Sequence, residues 1–165
     1  MIRASLVAPW CCNNEIFRKD SALNRDGTFE PYIRLRELLL THGIMLDTGD
    51  CNDMRSVQFE LHQDVQRNKT GATAYLMLFE TPLVKIQNGD ARNWARYRRI
   101  FTWRDDMVDG DRFIKINFSN PIQPGRVDGF AKRDRFCCLI ASNKTLAVRD
   151  DRDLYVERVK TIRWF

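Results

Sequence analysis

Three groups of residues have types and spacings suited to chemistry. Glu80 follows a near-continuous apolar run, residues 74–79, and precedes Thr81-Pro82. A run of that kind reads as a buried parallel strand, and ligands of open α/β sheets gather at strand carboxyl ends. A carboxylate held there against apolar walls has its charged form disfavoured, which makes it a usable general base. The same residue could equally cap or salt-bridge a strand end, and the sequence leaves both readings open. Ser142-Asn143, followed by Lys144, Arg149 and Arg152, forms the second group. A strand ending in small polar residues, then a loop and a helix start, supplies backbone N–H donors and a positive dipole end. Arginines nearby add forked donors suited to a pyrophosphate. The chain has no GxGxxG and no Walker lysine motif, so a solvated charged loop is the competing description. Asp105, Asp106, Asp109 and Asp111 form the third group; their spacing is not that of a calcium loop, and a turn between two strands explains them better.

The five cysteines are Cys11, Cys12, Cys51, Cys137 and Cys138. Two adjacent pairs and an odd total do not make a disulfide framework. There is no CxxC, and His42 and His62 are the two imidazoles, so no zinc site of the usual spacing is predicted. Cys137 and Cys138 lie in the apolar run 136–140, where thiols pack as small hydrophobes. Reduced, buried and structural is the expectation for the cysteines, with a reducing compartment implied.

The elements that must position these groups follow from periodicity. Ser5-Leu6-Val7-Ala8 reads as a first buried strand, and residues 11–30 as a long polar loop. Pro31 opens a helix where its missing N–H costs nothing; Leu35, Leu38, Leu39 and His42 give its apolar face, and Gly43 its stop. Ile44-Met45-Leu46 follows as a strand. Residues 57–61 alternate apolar and polar, which fits a strand or the edge of a helix. Residues 63–73 are polar, 74–79 form a strand, and 99–103 and 113–118 read as two more strands around the Asp-rich turn. Residues 121–134 have the Pro and Gly content of a linker. A strand over 136–140, a polar loop and a helix from about Arg152 follow, with Tyr155, Val159 and Ile162 on its buried face. The chain stops mid-pattern at Trp164-Phe165, so a cut end is expected there.

With 165 residues, 44% hydrophobic and 30% charged, the chain has the balance of a folded domain. No run approaches the length of a membrane span, and no signal pattern precedes the first strand. The net charge is +5, but positives alternate with acids, as in Arg133-Asp134-Arg135 and Arg149-Asp150-Asp151-Arg152. The mild excess is compatible with a phosphate-bearing ligand or an anionic surface and does not call for nucleic acid as a partner, while the interleaved runs read as a solvated mixed-charge surface.

Leu78-Phe79-Glu80-Thr81-Pro82, Tyr97-Arg98-Arg99-Ile100-Phe101-Thr102-Trp103 and Phe136-Cys137-Cys138-Leu139-Ile140-Ala141-Ser142-Asn143-Lys144 resemble glycosyltransferase family 10, the α1,3/α1,4-fucosyltransferases. The ending, Leu154 to Arg163, is similar to a helix of bacterial-type members. The resemblance implies an α/β fold: a Rossmann-like N-terminal domain of a two-domain (B-type) glycosyltransferase, plus the first strand and helix of the second domain. Residues 1–120 would be the acceptor side, 121–134 the linker and 135–165 the start of the donor-binding domain. It implies an inverting transfer of fucose from GDP-fucose to a glycan hydroxyl, with no metal or other cofactor required. Glu80 occupies the position of the general base. Asn143 matches the loop asparagine, and either Arg149 or Arg152 the arginine facing the pyrophosphate. The remaining donor contacts would lie beyond Phe165, so the chain by itself is expected to be inactive.

The resemblance implies a glycan and a nucleotide sugar as partners, and membrane association only through segments outside this chain. A cytoplasmic or membrane-peripheral location is expected, or the Golgi for a eukaryotic source. The alternative from a different class is a non-catalytic carbohydrate-binding module, using exposed aromatics such as Trp94 or Trp103.

Overall fold

The computed structural model describes residues 1–8, 10, 12–53, 55–66, 71–117, 145–146 and 149–164. The chain divides into two compact units, Met1–Ile122 and Gln123–Phe165. Six strands build the first: β1 (Ile2–Val7), β2 (Ile44–Thr48), β3 (Phe59–Gln63), β4 (Thr73–Leu78), β5 (Tyr97–Thr102) and β6 (Phe113–Lys115). They form one sheet in the order β2-β1-β3-β4-β5-β6, and every pairing is parallel. The fold is therefore of the α/β class, an open parallel sheet whose order reverses between β1 and β3.

Helix α1 (Glu30–Thr41) carries Pro31 in its first turn, as its sequence requires. Its buried side is narrower than the periodicity suggests. Ile33 is buried and Tyr32, Leu35 and Leu39 pack against the core, whereas Leu38 is exposed. His42 is exposed too, off the apolar face, and caps the helix through its backbone. Gly43 ends α1 at φ +73°, a conformation without cost only for glycine, and its carbonyl accepts from the Ile2 amide at 2.9 Å.

Register divides the core into two faces. Ala4 pairs with Phe59 and Leu6 with Leu61, and these join Leu46 and Met77 against Ile33 of α1. The β1–α1 connection also contributes buried Ile16, Phe17 and Phe29, so the segment expected to be a plain loop is partly core. On the other face lie Ala74, Leu76, Leu78, Tyr97 and Ile100, covered by Val65, Trp94, Met107 and Phe113. Trp94 ends the one-turn helix α2 (Ala91–Trp94). The alternating segment expected over 57–61 is a strand two residues later, Phe59–Gln63, and 105–111 is a turn: Asp109 Oδ1 accepts from the Asp111 and Phe113 amides at 2.9 and 2.8 Å.

In the second unit, α3 (Leu154–Trp164) starts two residues later than expected. Asp153 caps it, its Oδ1 accepting from the Tyr155 amide at 2.8 Å. Tyr155 and Val159 are half-buried as expected, but Ile162 is exposed. The expected linker and the strand over 136–140 lie outside the described residues. Among the described residues, no helix is long and apolar enough to cross a membrane.

Candidate functional site

The carboxyl ends of β3 and β4 are tied together by one buried carboxylate and one buried amide. Asp64, just past β3, adopts φ +59°, which Asp tolerates better than most residues. Its Oδ1 accepts from the Phe79 amide at 2.8 Å, the Glu80 amide at 3.0 Å and Asn88 Nδ2 at 2.7 Å. Asn88 Nδ2 also donates to the Glu80 carbonyl at 2.8 Å, while its Oδ1 accepts from the Val65 amide at 2.9 Å. Both N–H and C=O of Glu80 are thereby fixed by side chains that are themselves buried. The Glu80 side chain is exposed, so the apolar walls expected around it are absent from the described structure. What the fold supplies instead is a rigid backbone mount for a solvent-facing carboxylate.

Beside that mount a pocket of about 310 Å³ opens, lined chiefly by Trp10, Phe29, Tyr32, Gln63, Phe79 and Asn117. Trp10 lies just past β1 and Gln63 ends β3, so the pocket sits at the switch point of the sheet, where open α/β folds bind ligands. Tyr32 and Phe79 stack at 6.4 Å between centroids, and Trp10 leans on Phe29 at 6.1 Å. Tyr32 Oη donates to Gln63 Oε1 at 3.0 Å. That bond orients the carboxamide and leaves its NH2 group as the donor side. Trp10 is 52% exposed, a large aromatic surface open to solvent beside amide and hydroxyl groups.

Trp94 and Trp103, expected as exposed glycan-binding aromatics, are both half-buried and engaged. Trp94 Nε1 donates to the Asn88 carbonyl at 3.1 Å, and its ring meets Phe113 edge-on at 5.6 Å. Trp103 Nε1 donates to the Phe79 carbonyl at 3.1 Å. Both are framework residues of the strand ends, and the exposed tryptophan at the pocket is Trp10. The exposed position was hidden in sequence because Trp10 follows the apolar run of the first strand and Pro9, with no periodicity to say which way its ring faces.

The other expected site residues belong to the second unit. Arg149 is exposed. Arg152 is exposed as well, and its guanidinium grips Asp150, Nε to Oδ1 at 2.9 Å and Nη2 to Oδ2 at 2.8 Å. The fork expected to meet a pyrophosphate thus already holds a carboxylate. That guanidinium, together with the Arg152 amide, draws the Asp150 pKa down to about 2. Asn143 lies outside the described residues.

A buried polar chain on the second face escaped the sequence reading. Glu60 Oε2 lies 2.8 Å from His62 Nε2, and His62 Nδ1 lies 3.0 Å from Tyr97 Oη. Arg96 Nη2 donates to Tyr97 Oη at 3.2 Å and to the Gln66 carbonyl. A His62 protonated on Nε2 lets the donors run in one direction, Arg96 to Tyr97 to His62 to Glu60. All of His62 is inside, at 0% exposure, with both ring nitrogens committed, so its role is architectural. The signal was available: Glu60 and His62 are two apart in an alternating strand, and a central parallel strand is covered on both faces.

The buried-thiol expectation fails at two positions, since Cys12 and Cys51 are exposed and unbridged. No family model, curated protein or solved structure matches the chain.

Proposed function

We propose that this chain is the acceptor-side portion of an inverting fucosyltransferase, in which the switch-point pocket holds a glycan and Glu80 is the base. The observation that supports this reading is the pocket itself. Four aromatic side chains wall it, matching the apolar faces of pyranose rings, and Gln63 and Asn117 offer polar contacts for hydroxyl groups. Phe79 lines the pocket, and Glu80 is the next residue, fixed through its backbone by Asp64 and Asn88.

In this reading the Glu80 carboxylate takes the proton of an acceptor hydroxyl as that oxygen bonds to the anomeric carbon of GDP-fucose. The bond from that carbon to the β-phosphate oxygen breaks, and GDP leaves with the electron pair. Cationic and neutral hydrogen-bond donors stabilise the charge building on the phosphate, with Arg149 and Arg152 as the candidate cations and Asn143 as a candidate neutral donor. Arg152 would have to exchange Asp150 for the pyrophosphate. Two-domain architecture, donor specificity and inactivity of the isolated chain belong to the same proposal.

Titration of the 165-residue chain with a panel of defined oligosaccharides, followed by tryptophan fluorescence, tests the pocket. Trp10→Ala is expected to weaken binding about tenfold, the loss of roughly 1–1.5 kcal/mol of stacking. In the complete protein, Glu80→Gln is expected to lower turnover by about 10²–10⁴-fold with donor affinity retained. Absence of oligosaccharide binding refutes the pocket assignment. Glycan binding without any fucose transfer in the complete protein would instead establish the non-catalytic carbohydrate-binding module.

A further inference from the structure

The two exposed thiols, Cys12 in the β1–α1 connection and Cys51 in the turn after β2, lie on two segments that the Asp50 carboxylate joins. Asp50 Oδ2 accepts from the Asn13 amide at 2.6 Å and lies 3.8 Å from Cys51 Sγ. A second bridge runs through Thr48, whose Oγ1 accepts from the Asn14 amide at 2.9 Å and lies 3.5 Å from the same sulfur. Asn14 completes the seam, its Oδ1 accepting from the Thr48 amide at 2.7 Å and its Nδ2 donating to Asp47 at 2.9 Å. The Cys51 sulfur is therefore no further from the Asn13 amide than two short polar contacts laid end to end. That amide is one peptide unit from the Cys12 Cα. Both thiols are reachable from solvent, and the two segments are held in register by four side-chain bonds.

We infer that Cys12 and Cys51 form a reversible disulfide, a redox modification site linking the β1–α1 connection to the β2–β3 connection. A small-molecule disulfide such as oxidised glutathione is the oxidant. One cysteine thiolate attacks it, forming a protein–glutathione mixed disulfide and releasing one glutathione thiolate. The second cysteine thiolate attacks the protein sulfur of that mixed disulfide and releases the other. Two protein thiols are oxidised, one glutathione disulfide is reduced to two glutathione molecules, and these carry away the two thiol protons. Forming the bond requires both side chains to rotate, Cys12 Sγ leaving Asn13 Nδ2 at 3.7 Å, and the two Cα atoms to come within about 7 Å of each other. The bond would anchor the chain two residues beyond Trp10, which lines the pocket. The inference is independent of the transferase reading, because it rests on the seam alone.

The experiment equilibrates the full 165-residue chain in a series of glutathione redox buffers, alkylates the remaining thiols and maps peptides by mass spectrometry. Oxidised protein is expected to show a Cys12–Cys51 linked peptide pair, a mass lower by about 2 Da and recovery of both thiols on reduction. A Cys11→Ser, Cys137→Ser, Cys138→Ser variant is expected to retain the link, and adding Cys12→Ser or Cys51→Ser to abolish it. The wild-type map needs no variant, so a folding defect in a serine variant does not leave the question open. Cys12 and Cys51 each carrying a separate glutathione, remaining alkylatable in every buffer, or pairing with other cysteines would overturn the inference.

Discussion

Asn88→Ala tests whether the strand-end clamp positions Glu80. Asn88 is 2% exposed and holds three bonds: to the Val65 amide, the Asp64 carboxylate and the Glu80 carbonyl. Truncation leaves the Val65 N–H without its acceptor in a buried setting, a cost of about 1–3 kcal/mol. It also removes a bond to a charged group, worth roughly 1.5–3 kcal/mol, and a neutral one worth about 1 kcal/mol. These terms overlap because the remaining groups relax together, so a total of about 3–5 kcal/mol is expected. That is a large share of a typical domain's stability of about 5–15 kcal/mol. Asn88→Asp discriminates further: it keeps the acceptor for Val65 but sets a second carboxylate where Nδ2 lies 2.7 Å from Asp64, and it should do no better than alanine. Asp64→Asn should be milder, since asparagine tolerates φ +59° and keeps an acceptor oxygen.

Urea denaturation with comparison of m-values gives the stability change. Amide hydrogen exchange at Phe79 and Glu80 gives the local effect, with protection expected to fall in Asn88→Ala beyond the global change. A loss under about 1 kcal/mol, or unchanged protection at those two amides, would refute the reasoning. It would mean that β4 and its own ladder hold Glu80 in place without the clamp.

Asp150 should titrate with a midpoint near 2 in NMR, because the Arg152 guanidinium and amide favour its charged form. Since the folded value is depressed, the pair supports the start of α3 fully above the ordinary carboxylate value and loses that support as pH falls toward 2. Arg152→Ala should move the midpoint part-way up, and an unmoved midpoint would show that the pair does not form in solution. Gly89→Ala should destabilise the turn before α2, since a Cβ there would lie 2.8 Å from Pro82 Cβ and the proline ring has little freedom to yield; a melting temperature equal to wild type would contradict this. Tyr97→Phe should cost about 1–3 kcal/mol in thermal or urea denaturation, by leaving His62 Nδ1 without its donor inside the sheet. With either tautomer of His62 the substitution strands a buried ring nitrogen, so a neutral outcome would mean that the Tyr97 hydroxyl does not hold His62 in solution.

The sheet was legible in the sequence wherever a strand is apolar throughout or ends in a glycine turn. Residues 74–79 and the Gly43 stop are of that kind, and both appear where periodicity puts them. The alternating segment was harder, because Glu60 and His62 look like a solvent face. In a parallel sheet with connections on both sides no such face exists for a central strand, and the polar side chains must satisfy one another. Ile16 and Phe17 were missed for the opposite reason. They are isolated apolar residues in a polar stretch, and only the packing of the β1–α1 connection onto the sheet makes them core.

The candidate site shows the same division. That Glu80 stands at a strand end is a local fact, readable from the apolar run before it. Its environment is a tertiary fact, set by Asp64 and Asn88, which sit 16 and 8 positions away in the chain. The tryptophans make the point most sharply. Trp10, Trp94 and Trp103 are the same residue type, and the destination of each indole is what separates them. Trp94 and Trp103 each hand their N–H to a backbone carbonyl of the β4–β5 connection, so their rings are fixed parts of the wall that carries Phe79 and Glu80. Trp10 leans on Phe29 at the mouth of the pocket with half its surface open. A carboxylate on a fixed backbone mount and an accessible aromatic at the mouth of the pocket are both products of tertiary packing, and neither follows from residue type alone.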